Sequence, residues 1–191
     1  MGRALRADAE RSVRAILEAA ERVLADGPAA SVEQIAEAAG LTRTTVHRRF
    51  ASRQAIIDAL AVSAKRELAD AIEEAHADQA PPLVALHRVT ANVLRTKGDW
   101  RFTLGNPLAD TSAANEIWAE INEGCLELLS RAQRDGLIDA STDLHWTRQV
   151  YYALLREAIA GPGARGDGEP DYVALATLVV DTLLNGAGRK P

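Results

Sequence analysis

Cysteine is nearly absent: Cys125 is the only one in the chain. That excludes an intrachain disulfide and a cysteine-built metal site, fits a reducing compartment, and leaves Cys125 to be read as a small buried apolar residue. Long hydrophobic runs are missing as well. The longest, Tyr172 to Val180, stops at Asp181, far short of the roughly 18 residues a membrane span needs. The opening residues Met-Gly-Arg-Ala-Leu-Arg-Ala-Asp reach an acid without the apolar core of a secretion signal, so a cytoplasmic location is expected. No segment alternates apolar and polar residues as a half-buried strand does, and no internal repeat is visible. The histidines His47, His76, His87 and His145 include no pair four residues apart and have no carboxylate or cysteine cluster of ligand spacing, so no metal is expected. The string Gly161-Pro-Gly163-Ala-Arg-Gly166 has dinucleotide-fingerprint glycines but follows a helix rather than a strand, so it reads as a loop and no cofactor is expected. Arg165-Gly166-Asp167 within it reads as a chance tripeptide.

What remains is helical. Hydrophobic residues at 47% and charged residues at 26% mark an ordinary globular chain, and 191 residues allow one large domain or two unequal ones. From Asp8 to Ala25, the residues Val13, Ile16, Leu17, Ala20, Val23 and Leu24 recur at three- and four-residue spacing, ended by Asp26-Gly27-Pro28. Ser31 and Gln34 form a capping box for a helix to about Ala38. Gly40 and Leu41 make a tight turn, Thr42 caps a short helix through Phe50, and Ser52 caps a long one to about Ala75. Gln79-Ala80-Pro81-Pro82 is a break. Further helices are expected over about 83–96, ending at Lys97-Gly98-Asp99, then over 113–134, 143–160 and 171–185, with an irregular stretch from Trp100 to Asp110. The fold class is all-α with about nine helices, divided into residues 1–52 and 53–191.

The net charge of −5 argues weakly against a nucleic-acid partner, but its distribution is uneven. Residues 1–60 hold nine arginines against eight acids, and the deficit lies wholly beyond them. Between Glu37 and Asp58 there is no acid, while Arg43, Arg48, Arg49 and Arg53 fall there. In Ser31-Val-Glu-Gln-Ile-Ala-Glu-Ala-Ala-Gly-Leu-Thr-Arg-Thr-Thr-Val-His-Arg-Arg-Phe50, two short helices and a glycine turn leave only Val46 and Phe50 as the apolar face of the second helix. Its polar face carries Arg43, Thr44, Thr45, His47 and Arg48, groups able to read base edges or hold phosphates in a major groove. Ser31, Thr42 and Arg53 complete the candidate DNA-binding set, with Arg53 at the start of the next helix offered as a phosphate contact.

Residues 12–60 resemble the N-terminal domain of TetR-type repressors. That family's recognition segment has the form Gly-Val-Ser-x-x-x-Leu-Tyr-x-His-Phe-x-Ser-Lys-x-x-Leu, and here it stands as Gly40-Leu-Thr-Arg-Thr-Thr-Val-His-Arg-Arg-Phe50-Ala-Ser-Arg53-Gln-Ala-Ile. His47 replaces the usual tyrosine, Arg49 the usual histidine and Arg53 the usual lysine, and each keeps a hydrogen-bond donor. The resemblance implies a homodimer that binds a palindromic operator in double-stranded DNA through this helix-turn-helix and dimerises through its last two helices.

Behind residue 75 the resemblance is architectural. Trp100, Phe102, Trp118, Asn122 and Tyr152, with His87, are candidates for the wall of an effector pocket suited to a small apolar or amphipathic molecule. The last two helices carry more apolar surface than one small body can cover, so Trp146, Val150, Leu154, Ala176, Val179, Val180 and Leu183 are the candidate dimer interface. The reading is a ligand-released repressor. An activator or ligand-independent regulator of the same fold is the alternative, and an all-α enzyme is disfavoured because no nucleophile and base pair can be named.

Overall fold

Caps and glycine turns place the helix boundaries. The computed structural model describes residues 2–100, 102–105, 112–161 and 170–186, so the glycine-rich string and the Arg-Gly-Asp tripeptide expected in a loop lie outside the described residues beyond Gly161. The elements are α1 (Gly2–Asp26), α2 (Val32–Ala38), α3 (Arg43–Arg49), α4 (Arg53–Glu73), α5 (Pro82–Asp99), α6 (Ser112–Arg134), α7 (Leu144–Ala160) and α8 (Tyr172–Asn185), with short 3₁₀ turns at Ala77–Gln79 and Thr103–Gly105. Among the described residues the fold is all-α with eight α-helices. The eight segments that the sequence marks as helical are the eight found, so the expected total of about nine was one too high. No described helix is long and apolar enough to cross a membrane.

The chain forms two compact units, Met1–Lys65 with Trp100–Asn115, and Arg66–Asp99 with Glu116–Pro191. In the first, the apolar stripe of α1 (Ile16, Leu17, Ala20 and Leu24) packs with Ile35, Val46, Phe50, Ile56, Ile57 and Leu60. Phe102 and Ala114 return from far along the chain to join that core. In the second, α5 packs against both α8 and α7, burying Leu86, Val89, Val93 and Leu94 on its own side and Tyr151, Leu155, Ala176, Val179 and Val180 on theirs. A buried hydroxyl pair fixes the contact of α5 with α7. Thr90 donates to the Leu86 carbonyl at 2.6 Å, which uses its only proton, so the Tyr151 hydroxyl at 2.8 Å must donate to Thr90. Arg131 of α6 donates to the carbonyls of Ala77 (2.6 Å) and Ala80 (2.7 Å), pinning the connection between α4 and α5.

Two expectations are corrected. Helix α5 does not end before Gly98 but runs through it to Asp99. The glycine serves an approach rather than a stop, because a Cβ there would overlap the Tyr172 hydroxyl of α8. The dimer candidates Ala176, Val179 and Val180 are at most 3% exposed, interior to the chain's own helix packing, and so have no surface to offer a partner.

The buried Glu21 of α1 accepts from the Phe102 amide at 2.6 Å, the Thr103 amide at 3.3 Å and the Thr103 hydroxyl. Burial raises its pKa above the usual carboxylate value, and the hydrogen bonds from Thr103 and Phe102 offset this only in part. Removing the acceptor should therefore be costly: Glu21→Ala, leaving buried amides unpaired, is expected to lose about 1–3 kcal/mol of stability in urea unfolding. A carboxyl whose folded pKa is raised binds more protons folded than unfolded, so its contribution to stability falls as pH rises from the unfolded value through the folded one. Glu21→Gln lacks that slope, and its stability relative to the wild type should climb with pH across the window. A flat difference in paired melts from pH 4 to pH 7 would show that Glu21 does not titrate this way.

Candidate nucleic-acid interface and effector cluster

The turn before α3 aims it. Ala39 ends α2, Gly40 takes φ +65°, and the Leu41 amide donates to the Ala36 carbonyl at 2.9 Å, a left-handed helix stop that a Cβ would strain. Thr42 then caps α3, its hydroxyl accepting from the Thr45 amide at 3.2 Å and pairing with the Thr45 hydroxyl at 2.9 Å. Val46 is buried and Phe50, the C-cap, is nearly so, which leaves Arg43, Thr44, His47 and Arg48 in solvent, with Thr45 and Arg49 half-buried. Five of the predicted residues thus share one short helix. Ser31 and Thr42 are present chiefly as caps. Ser31 accepts from the Gln34 amide at 3.3 Å while Gln34 accepts from the Ser31 amide at 2.8 Å, closing the expected capping box.

Folding brings an acid to a face that is acid-free in sequence. Glu33 of α2 lies 2.8 Å from Arg43 Nη1, and Arg43 Nε donates to His47 Nε2 at 3.3 Å. An accepting Nε2 carries no hydrogen, so the proton of this imidazole sits on Nδ1. The Glu33 carboxyl is held below the ordinary carboxylate range by its own backbone N–H, then by the Ser31 hydroxyl and the Arg43 charge. Both partners of this ion pair are exposed, the setting in which such pairs are weak, and DNA can take Arg43 from it.

Arg53 is already engaged within the chain. Its guanidinium is turned back onto the loop between α1 and α2, Nε donating to the Ala30 carbonyl at 2.9 Å and Nη2 to the Pro28 carbonyl at 2.5 Å. These two bonds hold that loop against α4. Arg49, not among the predicted residues, has a buried Nε without a partner.

In the C-terminal unit, Trp118, Asn122 and Tyr152 come together. The rings of Trp118 and Tyr152 lie 5.5 Å apart at 41°, and the Tyr152 hydroxyl donates to Asn122 Oδ1 at 2.9 Å. Sequence reasoning missed two members of this group. Cys125 adjoins Tyr152, its thiol pushed up to about 11 by burial, and burial also raises Tyr152. Arg148 acts electrostatically on both, and its Nε is buried without a partner. The signal was legible: Arg148, Tyr152 and Arg156 recur every four residues between the two apolar stripes of α7. His87, half-buried on α5, shares no hydrogen bond or ring contact with the group among the described residues. Phe102 is buried in the N-terminal core, and Trp100 packs against that core. No group of three histidine, cysteine or acidic residues able to hold a metal is assembled among the described residues.

Of the dimer candidates, Trp146 is 63% exposed, and Val150, Leu154 and Leu183 are half-buried. Val173 and Leu178 on α8, 66% and 61% exposed, belong to the outward surface that the prediction missed. On α8 the outward stripe is Val173, Ala174, Thr177, Leu178 and Asp181, a helix face opposite the buried one.

Residues 16–60 match the family model described as bacterial regulatory proteins, tetR family. Over 180 residues, 93% of this chain and 90% of the relative, the chain is 35% identical to the HTH-type transcriptional repressor LfrR of Mycolicibacterium smegmatis. Its structure is similar to the crystal structure of the TetR-like regulator LfrR from Mycobacterium smegmatis in complex with proflavine, with 33% identity, a TM-score of 0.72, and 95% of this chain and 99% of that one covered. PfmR from Thermus thermophilus, a TetR family regulator, shares the fold at 23% identity and a TM-score of 0.75, covering 91% of this chain and 99% of that one.

The Arg53 geometry makes a stability prediction. Arg53→Ala frees two carbonyls of the loop between α1 and α2 and is expected to cost about 1–3 kcal/mol, read as a lower urea midpoint with an unchanged slope. Unchanged stability with weakened DNA binding would return Arg53 to a phosphate-contacting role.

Proposed function

The chain belongs to the TetR family of bacterial regulatory proteins and is a transcriptional regulator rather than an enzyme, and we propose that it is a repressor which binds a palindromic operator as a homodimer and leaves it when a small apolar or amphipathic effector enters the C-terminal part. Residues 1–52 carry the DNA contacts in this reading, and 53–191 the effector and the dimer contacts. The site of action is the cytoplasm, where the operator is.

The observation that carries the reading is the outward face of α3. Arg43, Thr44, His47 and Arg48 stand in solvent on a helix whose other side is anchored by Val46 and Phe50. Such a helix fits a major groove, where arginine can donate to guanine and threonine can meet a thymine methyl. Arg43, braced by Glu33 and His47, is the base reader. Arg48, further along the helix with its side chain in solvent, is a phosphate contact. A dimer suits the way helix-turn-helix proteins read palindromes, with recognition helices about 34–36 Å apart or a multiple of that. The faces of α7 and α8 bearing Trp146, Val173 and Leu178 are the surface we assign to it, because large apolar side chains so exposed in one chain mark an interface. A relative crystallised with a small molecule supports effector control.

Two expectations test this. On a fragment of the protein's own upstream DNA, Arg43→Ala should lose about 1–3 kcal/mol of operator binding while leaving scrambled DNA nearly untouched, whereas Arg48→Ala should weaken both alike and shallow the salt slope by about one. Fluorescence anisotropy over a salt series reads both, and equal losses on the two sequences for Arg43→Ala would reject base readout there. Replacing Trp146 and Leu178 together by glutamate should give folded monomers in sedimentation velocity that bind the operator poorly, and a folded double variant that stays dimeric with full affinity would place the interface elsewhere.

A further inference from the structure

The C-terminal unit distributes its charges unevenly between surface and interior. Every described carboxylate there, from Glu67 to Asp181, is exposed, whereas Lys97, Arg131 and Arg148 are drawn partly out of solvent. Arg131 is satisfied by the Ala77 and Ala80 carbonyls. Lys97 is held in a buried setting near Arg156, and both effects disfavour its charge. Arg148 stands apart, because its Nε–H is buried, has no acceptor, and faces no carboxylate among the described residues. A buried guanidinium N–H without an acceptor is costly, and a native structure that keeps one calls for an acceptor from outside the chain.

The groups around Arg148 narrow what that acceptor is. Its charge acts on Tyr152 and Cys125. Tyr152 gives its proton to Asn122 Oδ1, which leaves the Asn122 amide hydrogens pointing away as donors. The Cys125 thiol is hydrogen-bonded to Tyr152, and because the phenolic proton goes to Asn122 the thiol hydrogen is already used there. Beside these donors the Trp118 ring, packed on Tyr152, adds apolar surface. The cluster offers the Arg148 Nε–H and the Asn122 amide as donors and, among the described residues, holds no anion. A cationic head group would meet the Arg148 charge with no described interior carboxylate to oppose it.

We propose that the effector is an amphipathic anion, with a carboxylate or comparable accepting end that takes the Arg148 Nε–H beside Tyr152 and Asn122 and an apolar body that lies against Trp118. The inference rests on the reading that an effector enters the C-terminal part, and it narrows that effector's class. Binding and operator release are measured separately so that each can fail alone.

Three probes of one chain length isolate the head group: decanoate, 1-decanol and decylammonium, each titrated calorimetrically below its micelle concentration into the full-length protein. Decanoate should bind about ten- to a hundredfold more tightly than the other two, the range set by a charge-assisted hydrogen bond. Arg148→Gln should collapse that preference. Arg148→Lys, which keeps the charge without the Nε–H, should retain only part of it. Decylammonium or decanol binding as tightly as decanoate to the wild-type protein overturns the proposal whatever the variants do, as would a preference undiminished in folded Arg148→Gln. Water alone at Arg148 would give the same flat result across the three probes. Anisotropy of labelled operator with decanoate is the second arm. Arg148-dependent binding without operator release upholds the anion site and sinks the effector role.

Discussion

The Glu21 carboxylate joins two parts of the chain 81 residues apart, accepting from Phe102 and Thr103 where the chain comes back to α1. That return brings Phe102 and Ala114 into the core built by Ile16, Ile35, Val46 and Ile56. The backbone there opens a 3₁₀ turn at Thr103, whose first amides have no partner within the turn. A carboxylate with two oxygens can serve both amides and the Thr103 hydroxyl at once, which neither a hydroxyl nor an apolar residue could do. The cost is the burial of an acid, visible in its raised pKa. The N-terminal unit is therefore not a self-contained stretch of sequence. It is closed by a segment that arrives after α5, and the chain passes between the two units at 65–66, 99–100 and 115–116.

Within that unit, rigidity is built by local devices that all serve α3. The capping box at Ser31 starts α2, the left-handed Gly40 ends it, and Thr42 starts α3 four residues after α2 has stopped. Arg53 ties the loop before α2 to the start of α4 through the Pro28 and Ala30 carbonyls. With its ends set and Val46 seated in the core, α3 has little freedom to rotate, and the identity of its outward residues becomes a fixed surface. At rest Arg43 is paired with Glu33 and His47 in solvent, a weak pairing that costs little to exchange.

The sequence made the fold class and the helix-turn-helix readable because both depend on local chemistry. Apolar spacing, caps and Gly40 each act within a few residues, and the boundaries of α2 and α7 follow their caps closely. What was not readable depended on contacts between distant residues. Gly98 looks like a helix stop until Tyr172 is placed against it. Phe102 reads as an aromatic of the C-terminal part until its amide is found on Glu21 and its ring in the N-terminal core. Ala176, Val179 and Val180 belong to an apolar helix that could have faced a partner, and only the packing of α8 on α5 shows which side is inside. Arg53 sits at a position whose sequence neighbours suggest a phosphate contact, and nothing local announces its bonds to the carbonyls of Pro28 and Ala30. Arg148 was visible as part of a strip on α7, but that its Nε is buried without a partner is a fact of packing.

Charge placement shapes both units more than the net value of −5 suggests. A chain that must meet DNA can carry a negative total only if its acids stay away from the reading face. Here the excess lies beyond residue 60, and Glu33, the acid that does reach α3, is paired with Arg43. The long-range attraction is then modest, and the operator binding proposed above would depend on contacts made at close range by a positioned helix rather than on a broad basic field. The same segregation governs the C-terminal unit. Because its described carboxylates all face water, they keep that surface solvated and leave no anion inside to answer Arg148. A ligand that supplies the missing negative charge gains a hydrogen bond that the protein alone does not make, and its binding energy is therefore tied to a group left unsatisfied among the described residues.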